Sequence, residues 1–152
     1  MTVEFGAHRS MLKDDLSMPQ VHVQEQSDFI QGGGKLLELL DSYIREHCEM
    51  VIHLVGSRTG SSVKLDEIRW LLETHPDFLE RFEFLKDDCE AWPVTLSYTQ
   101  IEAWLALYHG KRLQIYFPEK SDPALLPADN PQRRHWQRLT DRGENHIRLL
   151  VV

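Results

Sequence analysis

Cysteine is scarce in this chain: Cys48 and Cys89 are the only two among 152 residues. Two cysteines cannot build a disulfide framework, which excludes a stapled secreted scaffold and leads to the expectation of a reduced, cytoplasmic protein. Long apolar runs are missing as well. None approaches the roughly 20 residues that cross a bilayer, and no basic, apolar and small-residue signal pattern stands at the start. Cations are outnumbered, with 17 Lys and Arg against 24 Asp and Glu and a formal net charge of −7. Phosphate binding needs clustered positive charge, so a protein that coats nucleic acid is excluded. Repeats and low-complexity segments are also absent. What remains is ordinary globular composition, 41% hydrophobic and 27% charged, at a length that suits one domain with a real core.

The negative charge is concentrated. Residues 64–90 hold 4 basic and 9 acidic residues, while residues 91–116 hold 2 basic and 1 acidic. Within 91–110 the only formally charged side chain is Glu102. A lone carboxylate in an apolar and aromatic window calls for an explanation, because burying an unpaired charge is costly.

Periodicity divides the chain into alternating elements. Phe5, Leu12 and Leu16 predict a helix over 4–16, stopped by Pro19. Alternation of Val21 and Val23 predicts a short strand over Gln20–Glu25. Leu36, Leu40, Tyr43 and Ile44 predict an amphipathic helix over 35–47. The run Met50–Val55, closed by Gly56, reads as a strand buried on both faces of a parallel sheet. Helices are expected over 64–74 and 77–86, with His75-Pro76 between them. Ser97-Tyr98-Thr99-Gln100 is a capping-box pattern opening a helix that ends at His109-Gly110. A strand over 113–117, a proline-rich loop over 119–131, a basic helix over 132–141 and a last strand over 147–152 complete the order. Strands separated by helices imply an α/β fold with a parallel sheet. The acidic residues would form a helical insert at about 57–96, a flap able to cover the crevice at the strand ends. The chain opens in a helix and closes on a strand, so one α/β domain over 1–152, clipped at one or both ends, is expected.

Ligands of open parallel sheets bind beyond the carboxyl ends of the strands. Glu102 lies near the second turn of a helix leaving that rim, with Tyr98 one turn back and Thr99 three residues back. An aromatic ring beside a carboxylate suits a flat heterocycle next to a charge-stabilising group; a partly exposed acid near a helix N-terminus fits the same pattern. Gly32-Gly33-Gly34-Lys35 and Gly56-Ser57-Arg58-Thr59-Gly60 both sit where a phosphate loop could lie, and neither has a recognised glycine fingerprint. The eight histidines show no zinc-finger or HExxH spacing, so no metal site is expected. Both cysteines read as packing residues. Arg133, Arg134, Arg138 and Arg142 form a stripe at helical spacing that reads as a solvated or anion-tolerant face.

Val-Glu-Phe-Gly-Ala-His-Arg at 3–9, Val23-Gln24-Glu25, Cys48 to Gly56 (CEMVIHLVG) and Ser97 to Glu102 (SYTQIE) together resemble the TIR-like domains of the DUF4062 type. Such domains commonly stand at the N-terminus of bacterial STAND and NACHT-type ATPases. The resemblance implies a flavodoxin-like, three-layer fold whose first strand would precede Thr2. It implies a signalling or effector domain of bacterial immunity that self-associates, works with a downstream ATPase region and needs no cofactor. Catalytic members are hydrolases that cleave the nicotinamide–ribose bond of NAD with a glutamate in a Trp-Cys-x-x-Glu stretch. Tyr98-Thr99-Gln100-Ile101-Glu102 matches that frame, with Tyr for Trp and Thr for Cys, so Glu102 carries over as the catalytic residue. Tyr98 and Thr99 would contact nicotinamide or ribose, and Gly56, Ser57 and Arg58 would meet the diphosphate. The loop 25–35 takes the place of the loop that gates TIR sites, and its Phe29 would contact the substrate. The alternative implied is a non-catalytic nucleotide-binding or self-association module. Nucleic-acid and membrane partners are not expected.

Overall fold

Residues 6–25, 35–117, 122–142 and 147–151 are described by a computed structural model of the chain. Three strands, β1 (Met50–Leu54), β2 (Arg112–Phe117) and β3 (Ile147–Val151), form a parallel sheet in the order β1-β2-β3. Helices separate them in sequence, which is the α/β arrangement that the alternating periodicity predicts. Register pairs Val51 with Leu113 and His53 with Ile115. One sheet face therefore carries Val51, His53, Val55, Leu113, Ile115 and Phe117, all of them buried except the half-buried Val51. The other face carries Ile52, Leu54, Gln114 and Tyr116, which are only half-buried. The expectation that Met50–Val55 is buried on both faces is thus corrected to one. Among the described residues β1 is an edge strand with β2 as its single neighbour.

Helix α1 spans Gly6–Leu16, inside the predicted range. The strand expected over Gln20–Glu25 is not formed. Met18 and Val21 close an isolated bridge, the Val21 N–H donates to Met18 O at 2.9 Å, and residues 22–25 have no regular structure. Two alternating valines, with Val21 47% exposed, bury too little surface to hold a ladder against a local turn. Helix α2 (Leu36–His47) buries Leu37, Leu40, Asp41 and Ile44, the i, i+3, i+4, i+7 face of an amphipathic helix.

The acidic unit is built into the core. It comprises α3 (Leu65–Thr74), α4 (Phe78–Arg81), a 3-10 turn at Glu83–Leu85 and α5 (Lys86–Glu90). The continuous helix expected over 77–86 breaks at Phe82, whose ring is fully buried and whose backbone is non-helical. Ile68, Leu71, Phe78, Phe82, Leu85 and Cys89 belong to the same hydrophobic cluster as the sheet residues. The unit is a packed layer, not the flap the charge run suggests. A line of rings crosses from it, through Phe78–Phe82 at 5.0 Å and Phe82–Trp104 at 5.5 Å, to Trp104–His135 at 5.6 Å.

Helix α6 (Tyr98–Tyr108) is the centre of this packing. Its predicted capping box is complete: Gln100 N–H donates to Ser97 Oγ at 3.2 Å, and Ser97 N–H donates to Gln100 Oε1 at 3.1 Å. It closes with Lys111 N–H on Ala106 O and Gly110 N–H on Leu107 O, where Gly110 has a φ of +68°. That paired bonding wants a residue free to turn left-handed, which glycine is. Helix α7 (Pro131–Asp141) starts on Asn130, whose side chain accepts from Gln132 N–H at 2.9 Å.

His53 of β1 and His135 of α7 are both buried and share a hydrogen bond between their Nε2 atoms at 2.8 Å. One ring donates and the other accepts, so the pair is stable when uncharged. Burial pushes His53 down to about 4, with Arg9 adding to the effect, and lowers His135 as well. A histidine whose folded pKa is depressed contributes stability above its unfolded value and loses it as pH falls. Urea unfolding is expected to show a loss on the order of 2 to 3 kcal/mol from His53 as pH drops from about 6.5 to 4. A His53→Phe/His135→Leu double variant should flatten the curve in that window; an unchanged slope refutes the assignment.

Candidate functional site

The start of α6 is fixed to the carboxyl end of β1 by a chain of hydrogen bonds. Gln100 Nε2 donates to Gln132 Oε1 at 2.8 Å, and Gln132 Nε2 donates to the Gly56 carbonyl at 3.0 Å. Gln100 and Gln132 are 3% exposed, so this relay is sheltered from competing water. It places the capping box near the loop that follows β1, the rim where the crevice of an open parallel sheet lies, while Glu102 stands further along the helix, where its charge acts on Cys48 just before β1 and Arg9 of α1 acts on it.

Eight of the eleven residues of α6 are buried, and Thr99, Glu102 and Tyr108 keep part of their surface open. Thr99 and Glu102, three apart, share one strip of the helix. Glu102 is half-buried, and the protein crowded around its carboxyl pushes it up to about 8. Arg9, from α1, pulls the other way and offsets only part of the effect. Among the described residues no hydrogen bond to the carboxyl is formed. Among the described residues the buried carboxylates Asp41, Glu67 and Asp88 all have donors, and half-buried Glu102 has none.

The other expected site residues are dispersed. Tyr98 is buried at the start of α6, and its hydroxyl donates to the buried Glu67. Its ring thus belongs to the core beneath the strip. Gly56 is buried in the relay, while Ser57 and Arg58 are exposed just beyond it. Phe29, like Gly32, Gly33 and Gly34, lies outside the described residues. The phosphate-loop reading of Gly32-Gly33-Gly34-Lys35 meets a specific competitor. Glu67 Oε1 accepts the Leu37 N–H at 2.9 Å, and Lys35 pairs with Asp66 at 3.3 Å. The protein's own carboxylate already serves a donor at that helix start.

Three of the four arginines of the stripe turn to protein partners, and Arg134 stays exposed. Arg138 donates to Asp88 at 2.7 Å and stands over the Phe84 ring, Arg142 stands over Phe82 at 4.9 Å, and Arg133 donates to the Leu126 carbonyl. Neither thiol is poised as a nucleophile. Burial pushes Cys89 up to about 12, with Asp88 and Glu90 adding to it, and burial also raises half-buried Cys48.

A second constellation went unseen in the sequence. Asp41 Oδ1 accepts from His75 Nε2 at 2.9 Å and from His109 Nε2 at 2.7 Å. Burial raises the Asp41 carboxyl, but its bonds to His109 and His75 outweigh that and hold it below the usual carboxylate range. The three residues lie 34 and 68 positions apart, so no local motif could reveal them. The available signal was Asp41 on the apolar face of α2, between Leu40 and Ile44.

No family model, curated protein or solved structure matches this chain.

A carboxyl with a raised folded pKa favours folding below its unfolded value and loses that contribution as pH climbs toward the folded one. Glu102 should therefore weaken the fold progressively between about pH 4.5 and 8. Glu102→Gln is expected to gain about 2 kcal/mol at pH 7, discounted for the open face, and nothing near pH 4.5. Thermal melts at both pH values check this, and equal shifts at the two would overturn it.

Proposed function

We propose that the chain is a TIR-like signalling or effector domain of flavodoxin-like fold in which Glu102 cleaves the nicotinamide–ribose bond of NAD. The observation that carries this reading is the carboxyl of Glu102, without a hydrogen-bond donor among the described residues, on the partly open Thr99–Glu102 strip of a helix that is otherwise mostly buried. Groups kept at such a cost are commonly functional. The strand order supports the fold. In the flavodoxin-type order 2-1-3-4-5 the last three strands run consecutively and parallel, as β1-β2-β3 do here.

With a carboxyl near 8, Glu102 is mostly neutral at pH 7 before substrate arrives. The nicotinamide ring of NAD carries a positive charge, and a cation beside the carboxyl favours its ionised form. Binding would thus expel the proton and leave a carboxylate facing the ribose. As the bond from C1′ to the ring nitrogen breaks, its electron pair leaves with nicotinamide. The positive charge passes to the ribose, where the carboxylate stabilises it. Water then bonds to C1′ and gives up a proton. The Thr99 hydroxyl, on the same strip, suits a ribose hydroxyl, and Ser57 and Arg58 beyond β1 suit the diphosphate. Tyr98 contributes by anchoring the helix to Glu67 instead of stacking on the substrate.

Self-association and a downstream ATPase region accompany this reading through the family resemblance, as does a cytoplasmic setting. Among the described residues no helix is long and apolar enough to cross a membrane. The neutral state of Glu102 also favours a second reading, a module that binds nucleotide without turning it over. Bound NAD with no nicotinamide release would decide for it.

The test is nicotinamide release by concentrated, assembled protein given NAD. Wild type should release it and Glu102→Ala should lose activity by at least about 100-fold. Because the carboxylate is the working form, kcat/KM should rise with pH through about 8. Equal release by both proteins, or a flat profile between pH 6 and 9, would sink the proposal.

A further inference from the structure

The geometry points to a binding site for one divalent transition-metal ion of the zinc class, held by Asp41, His75 and His109. This site is separate from Glu102. His75 follows the last residue of α3, and His109 follows the last residue of α6. That end of α6 leads into β2, so the site lies at the rim opposite the capping box. Two imidazoles and a carboxylate are borderline donors that suit zinc, cobalt or ferrous iron better than calcium or magnesium.

Four observations converge there. The three donor atoms lie within 4.8 Å of one another. Asp41 is 1% exposed, and its Oδ2 has no hydrogen-bond partner among the described residues. Both histidines direct Nε2, the usual ligating atom, at the same oxygen. Finally, two helix C-termini end at the cluster, and their partial negative charge favours a cation.

A hydrogen-bonded histidine–aspartate cluster without metal uses the same atoms. To admit an ion, each Nε2 must give up the hydrogen it directs at Asp41, to solvent or to its own Nδ1. The charged and titratable groups around the site include Arg45, Glu46, Arg81, Tyr108 and Asp77, and Arg81 already donates to the Tyr108 carbonyl at 2.9 Å. Arg45 stands 3.8 Å from Asp41 Oδ2 and opposes a cation, but it is 45% exposed and can swing into water. The Tyr108 ring packs on His75 at 4.8 Å, and its hydroxyl is held by Asp77 at 2.6 Å. Water completes the coordination. Because the ligands come from α2, from the end of α3 and from the end of α6, the ion would tie the acidic unit to the helix of Glu102.

Cobalt(II) titration of the full chain, followed by visible absorption, tests this, with zinc competition and thermal melts alongside. Wild type should bind about one ion per chain and gain about 5 to 10 °C at a large excess of zinc over its Kd. Asp41→Asn keeps an oxygen able to accept both histidine bonds, so it should fold. It should nonetheless lose at least about 10-fold in affinity together with the cobalt band, and His109→Gln should do the same. No saturable binding by wild type overturns the proposal. So does binding that survives unchanged in both variants, which would place the ion elsewhere.

Discussion

Helix α6 has to be buried on nearly every side, and the rest of the structure is arranged around that need. From Ile101 to Leu107 it carries one charge and no other polar side chain. A helix apolar all round cannot lie on a surface. The sheet covers it through β1 and β2, and α2 packs along it. The acidic unit covers Trp104 with Phe82 and Phe84, and His135 of α7 meets the same indole. The polar start of the helix is a liability in such a place, and the capping box with the Gln132–Gly56 relay removes it. What is left partly open is Tyr108 near its end and the narrow strip of Thr99 and Glu102.

The treatment of interior charge separates structural acids from the candidate functional one. Glu67 accepts from a backbone N–H and a tyrosine hydroxyl. Asp88 accepts from Thr95 and from Arg138. Asp41 accepts from two imidazoles. Each of the three ties together elements distant in sequence, and removing any one would strand its donors. Glu102 accepts no hydrogen bond among the described residues, and the charge of Arg9 offsets only part of the desolvation of its carboxyl. Asp41 is a mixed case, since one of its oxygens is fully used while the other is left over.

Local chemistry was legible in the sequence, and long-range chemistry was not. Ser97 and Gln100 stand three apart before an apolar run, and that spacing alone specifies their reciprocal bonds. Gly110 and the strand at Met50 are equally local. The misreadings have one cause. Whether Val21 and Val23 form a strand depends on a partner edge, and whether the 77–86 helix continues depends on where Phe82 finds its cavity. Both are decided by tertiary packing over local propensity. Glu102 was visible as a lone charge in a neutral window, but its depth was not. The Asp41, His75 and His109 cluster was invisible because two of its members close helices that meet only when the acidic unit folds onto α6.

That folding limits how the candidate site can be controlled. A charge run of 9 acidic and 4 basic residues reads as a solvated lid, yet its inner side carries Phe78, Phe82 and Leu85, all fully buried. Lifting it would expose at least those three, at about 1.5 to 3 kcal/mol each. It would also strand Asp88, break its bond to Arg138 and remove the rings beneath Arg138 and Arg142. The sum approaches the whole stability of a typical domain, about 5 to 15 kcal/mol. Opening the unit would therefore approach unfolding the protein. The charge that acts on Glu102 comes instead from Arg9 of α1, outside that unit.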